Sequence, residues 1–113
     1  MKFDKENIIT AKKLQNGETC LVQGFGQSMV PILKSGQVVE VSPINNYEKL
    51  EKGDVVLCRV GRNFYLHKIS RISGKKEKLR FQISNNHGHV NGTVGSTNIY
   101  GLVTDKNPLK NSK

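Results

Sequence analysis

The chain has 113 residues and carries eighteen Lys and Arg against nine Asp and Glu, a formal charge of +9. That length is one small domain with a modest core. It holds no apolar run of membrane-spanning length and no apolar block behind a basic N-terminus, so a soluble, unexported, cytoplasmic protein without a membrane anchor is expected.

In chain order, residues 4–15 (DKENIITAKKLQ) predict a short helix. Asp4 can cap it, Glu6 suits its positive end, Ile8, Ile9, Ala11 and Leu14 supply an apolar stripe, and Gly17 can end it, although the two isoleucines also suit a strand. From Thr19 the pattern turns to β. Strands are predicted at 19–24 (TCLVQG), 37–42 (QVVEVS), 54–60 (DVVLCRV), 64–72 (FYLHKISRI), 79–84 (LRFQIS) and 98–104 (NIYGLVT). Gly61-Arg62-Asn63 reads as a tight hairpin connection. Residues 85–96, NNHGHVNGTVGS, read as a loop. Cys20 and Cys58 each sit in an apolar run and read as buried strand thiols. A disulfide between them stays open, and no metal site or cofactor is expected. The organisation expected is an N-terminal extension at 1–18, a domain at 19–104 and a frayed basic tail at 105–113. The fold expected is compact and mostly β, built of several short antiparallel strands.

The positive charge is concentrated. Arg59, Arg62, Lys68, Arg71, Lys75, Lys76, Lys78 and Arg80 face a single acid, Glu77. Such a block can meet a polyanion, but lysines that keep a hairpin soluble and blunt its edges account for it at least as well. Nucleic acid is therefore the less favoured partner.

The stretch Gly24–Gly36, GFGQSMVPILKSG, places Ser28 among glycines. A turn serine is the ordinary reading. A nucleophilic serine needs a base to take its proton and backbone N–H groups to hold the oxyanion. The candidate bases are His67, His87, His89 and several lysines. Of the three histidines, His67 alone lies within a predicted strand, between Leu66 and Lys68. Composition does not choose among them.

Three blocks in order do more: Gly26-Gln27-Ser28-Met29-Val30-Pro31-Ile32-Leu33-Lys34-Ser35-Gly36-Gln37-Val38-Val39, then Lys52-Gly53-Asp54-Val55-Val56-Leu57, then Leu66-His67-Lys68-Ile69. Over roughly residues 17–104 the chain resembles the S24/S26 serine peptidase superfamily of signal peptidases and LexA-like self-cleaving repressors. The resemblance implies a LexA/signal-peptidase-like β fold and a serine endopeptidase acting on an extended polypeptide. Ser28 would be the nucleophile, with its own backbone N–H in the oxyanion hole. His67 would take the base position, as in archaeal and endoplasmic-reticulum signal peptidases, with Lys68 in the arginine position. An imidazole titrates near ~6.5 and needs no special burial to accept a proton at neutral pH, unlike a lysine. Lys68, next along the strand, points to the opposite face. Met29 and Pro31 would wall the site or, for Met29, fill the core. Gly53-Asp54 is architectural.

The chain departs from the pattern in three ways. It shows no membrane anchor. Its eighteen residues before Thr19 do not hold a helix-turn-helix domain, and no Ala-Gly or Cys-Gly bond precedes the serine. The acidic residue that Ser-His signal peptidases carry in a late Asn-rich loop is also missing. The matching stretch is Ile83-Ser84-Asn85-Asn86-His87-Gly88-His89-Val90-Asn91, where Asn91 can orient His67 in place of a carboxylate. The alternative reading is a catalytically weak or inactive binding module on the same fold, using its basic surface for nucleic acid or an acidic protein, in the manner of a phage or mobile-element regulator.

Overall fold

Val55, Val56, Leu57 and Cys58 are all buried, although neighbours on a strand face opposite sides of a sheet. The third strand, β3 (Val55–Val60), is therefore covered on both faces, which is why its sequence is continuously apolar rather than alternating. The computed structural model describes residues 5–24 and 26–111. Around β3 it arranges α1 (Lys5–Gln15), β1 (Cys20–Gln23), β2 (Val38–Ser42), β4 (Asn63–Ser73), β5 (Arg80–Ser84), β6 (Val90–Gly95), β7 (Ile99–Asp105) and a last helical turn, α2 (Pro108–Asn111). The seven strands form one antiparallel sheet in the order β1-β2-β7-β3-β4-β5-β6.

Two apolar clusters follow from the double coverage. Val55 and Leu57 of β3 join Val39, Val41 and Leu66 on one face, beneath Leu14 of α1 and beside Met29 and Leu33. Val56 and Cys58 join Ile69, Phe81, Ile83, Val94 and Ile99 on the other. Register shifts at Glu40/Val41, Leu57/Cys58, Ile69/Arg71 and Ile83/Ser84 bend the strands, and the sheet curls into a half-barrel. The curl carries β6 back over β3. A Cβ at Gly92 would stand 2.8 Å from Val60 Cγ1. Gly101 on β7 marks a second close approach, where a Cβ would lie 2.5 Å from Val41 Cγ1 and 3.0 Å from Leu14 Cδ1.

The expected mostly β architecture and helix are present, with corrections. Residues 85–96 are not a loop throughout: Val90–Gly95 form β6, paired with β5 from Arg80↔Gly95 to Ser84↔Val90. Glycine and asparagine are tolerated there because β5 supplies the hydrogen-bonding partner. On α1, Ala11 and Leu14 are buried, but Ile8 and Ile9 are exposed, so the apolar stripe is narrower than expected. The Asp4 cap and the Glu6 side chain lie outside the described residues. Asn63 is the first residue of β4, facing Val60, so Gly61-Arg62 alone makes the turn. Gly61 has φ +61°, the positive value that a two-residue hairpin turn asks of its first central residue. Cys20 and Cys58 are free thiols, and burial pushes Cys58 up to about 12. Among the described residues no helix is long and apolar enough to cross a membrane.

Candidate active site

Three separate pieces of chain meet at His67. The imidazole is held by β4, where strand geometry and the cross-strand neighbour Val56 fix its backbone, and it is only 3 % exposed. Ser28 comes from the turn after β1, and its Oγ lies 3.0 Å from His67 Nε2. Asn91 comes from β6, carried over by the curl, and its Oδ1 lies 2.7 Å from His67 Nδ1. An amide oxygen has no proton to give, so Nδ1 carries the hydrogen and Nε2 presents its lone pair to the Ser28 hydroxyl. That is the tautomer a base toward Ser28 requires.

Burial is the main influence on the imidazole and pushes it down to about 4, since an ion is poorly solvated there. The Asn91 bond works in the opposite direction, and His89 adds a further downward push. At neutral pH the ring is therefore uncharged. Tyr65, two residues earlier on the same strand and hence on the same face, stacks on it with centroids 4.7 Å apart and ring planes 25° apart.

The turn that carries Ser28 is clamped by the β5–β6 connection. Asn85 Oδ1 accepts from the N–H groups of His87 and His89, closing a tight turn over residues 85–89. The next residue, Asn86, reaches the Ser28 turn twice. Its backbone N–H donates to the Ser28 carbonyl at 2.7 Å and its side-chain amide to the Val30 carbonyl at 3.0 Å. Lys68 Nζ donates to Asn86 Oδ1 at 3.2 Å, and His87 Nε2 donates to the Gln27 carbonyl at 2.8 Å. Gly26, at φ +105°, enters the turn in a conformation that favours glycine, with its N–H on Ser35 Oγ.

Of the residues singled out in the sequence, Ser28, His67 and Asn91 are brought together, and Lys68 turns away from them toward Asn86. Met29 is buried against the Leu66 side of the sheet and also lines a small cavity of about 20 Å³ beside Ser28, together with Gly24, Gly26, Leu33 and Leu66. Pro31 is exposed and lines a separate surface hollow with Ile32 and Ser35. His87 and His89 are not at the Ser28 hydroxyl. From sequence, His87 stands as a candidate base and Asn86 within the matching stretch, but their clamping of the Ser28 turn is missed, and so is Tyr65. For Tyr65 the period-2 spacing from His67 was a usable signal. For the loop residues there was none, because their partners are backbone carbonyls some sixty positions earlier. Among the described residues, no three His, Cys, Asp or Glu side chains gather as a metal would need.

The family model for Peptidase S24-like proteins matches residues 2–104. No curated protein and no solved structure gives a match.

Proposed function

The chain belongs to the Peptidase S24-like family, and from that premise we propose that it is a serine endopeptidase with Ser28 as nucleophile and His67 as general base. The observation that carries the reading is the 3.0 Å contact between Ser28 Oγ and His67 Nε2, with the opposite ring nitrogen engaged by Asn91. A base within hydrogen-bond reach, held in the correct tautomer by a third group, is the arrangement that activates a hydroxyl.

In the reaction, Ser28 Oγ attacks the carbonyl carbon of the scissile peptide while its proton passes to His67 Nε2. The backbone N–H of Ser28 donates to the oxyanion. Collapse breaks the C–N bond, and the proton moves from Nε2 to the departing amine. A water then attacks the acyl ester, giving its proton to Nε2. The C–O bond to Ser28 breaks, Oγ regains a proton, and a free carboxylate leaves.

The substrate is an extended polypeptide. Among the described residues the sheet ends at β1 and β6, and β6 carries Asn91, so a strand-like segment can add beside the site. The cavity at Ser28 has room for roughly one water-sized sphere, and its mixed lining, apolar at Met29, Leu33 and Leu66 and polar at Lys34 and Gln37, suits a small side chain next to the cut.

The test is acylation by a fluorophosphonate. Labelling of the wild type at one site, lost in Ser28→Ala and in His67→Ala, is the expected result. A wild type that stays unlabelled between pH 5 and 9 removes this reading.

A further inference from the structure

Resting on the Ser28–His67 reading, a difficulty remains at the proton-transfer step. When Ser28 gives up its proton, a positive charge appears on a ring that is 3 % exposed. Burying a charge without compensation is costly. In a Ser-His-Asp site a carboxylate on Nδ1 offsets that cost. Here Nδ1 faces the amide oxygen of Asn91, which aligns the ring but carries no charge.

Ser28 takes Nε2 and Asn91 of β6 takes Nδ1. Val56 lies opposite on β3, and His89 of the β5–β6 turn acts against a positive charge. Among the described residues, the ring also meets the face of Tyr65. We propose that Tyr65 is a positioning residue for catalysis, whose stacked ring holds the His67 plane and stabilises the imidazolium through its π face. The centroid separation of 4.7 Å lies inside the ~6 Å over which a cation is attracted to an aromatic face. The 25° tilt puts the imidazole over that face rather than at its positive edge. The stack is set by the strand itself, because residues two apart on β4 share a side. The attraction grows as the ring gains charge. It is therefore stronger in the transition state than in the resting enzyme, which is the condition for accelerating the step.

Two replacements separate the π face from the bulk. Tyr65→Leu keeps an apolar side chain without the π face, and Tyr65→Phe keeps the π face without the hydroxyl. The first readout is the fluorophosphonate acylation rate at pH 7. Tyr65→Leu is expected to lower it about tenfold, the scale of a desolvated cation–π contact, and Tyr65→Phe to recover most of that loss. The second readout needs no activity. The His67 ring titration, followed by NMR on folded protein, should fall by about one unit in Tyr65→Leu relative to Tyr65→Phe. Equal rates in the two variants, or equal titrations, overturn the proposal. Should Leu fail to fold, Tyr65→Met is the second apolar replacement, with the same expectations. If the wild type is not acylated, the peptidase reading fails, and the titration alone then decides whether Tyr65 stabilises the imidazolium.

Discussion

His67 Nδ1 and Asn91 Oδ1 are 2.7 Å apart, and the bond has a single polarity, with the ring nitrogen donating. Asn91 thus chooses which nitrogen is left to face Ser28. An amide does this as well as a carboxylate, but it does not neutralise the imidazolium.

Asn91→Asp is therefore expected to raise acylation by about tenfold or more. It is the reverse of a change that costs about 10⁴ in a Ser-His-Asp triad. The same substitution should raise the His67 pKa and move the acid limb of the rate profile to higher pH. Asn91→Ala should slow acylation, since neither tautomer nor ring plane is then held. Rates measured across pH 4–8 check both.

The pH dependence of the wild type follows from burial of the ring. With His67 held down to about 4, the neutral imidazole persists through the mildly acidic range. Acylation should stay level from pH 8 to about 5.5 and fall only as pH approaches 4. A limb near ~6.5, the value of an unperturbed histidine, would contradict this.

Stability should respond in the same direction. The folded pKa lies below the unfolded one, so the unfolded chain binds the proton first as pH falls. The stability that comes with the neutral ring is complete above about pH 6.5 and drains away between 6.5 and 4. Between pH 7 and 4.5 the wild type should lose about 2–3 kcal/mol more than His67→Gln. Urea unfolding of both proteins at the two pH values measures it.

Gly101 offers a test of packing away from the site. A Cβ there meets Val41 Cγ1 at 2.5 Å and Leu14 Cδ1 at 3.0 Å, beneath α1. Gly101→Ala should cost about 1–3 kcal/mol by overpacking. Gly95→Ala, where the nearest atom is an Arg80 nitrogen at 3.6 Å, should cost about 0.5 kcal/mol or less. Thermal unfolding of the pair separates the two cases.

Asn86→Ala removes the side-chain bonds to the Val30 carbonyl and Lys68 Nζ while leaving the backbone bond to Ser28. Stability should fall by about 1 kcal/mol. Acylation should fall more than that loss explains, because the Ser28 turn is less firmly held. Calorimetry and labelling on the same preparation compare the two effects.

Much of the fold is legible in the sequence because apolar periodicity reports burial. The run VVLC at 55–58 reads as a strand, and both its faces are filled. β6 is illegible for a physical reason. Val90 and Val94 are the only large apolar residues in VNGTVG, Val90 is exposed, and Gly92 is there to let the strand pass Val60. What makes the segment a strand is β5 beside it, not its own propensity. At the candidate site the ordered motif blocks single out Ser28 and His67. Nothing local marks the clamping role of Asn86 or His87, whose bonds run to carbonyls of a distant turn. The exposed Ile8 and Ile9 show the converse, since apolar spacing on α1 suggests a wider buried face than the sheet beneath it covers.

The return of β6 over β3 has a consequence for how the chain can be divided. Ser28, His67 and Asn91 lie 39 and 24 residues apart in sequence and meet only once the sheet has curled on itself. No hairpin of this chain contains the whole constellation. On the proposed peptidase reading, labelling of Ser28 would report closure of the entire sheet, and a protein cut between β5 and β6 should regain it only when the two pieces reassemble.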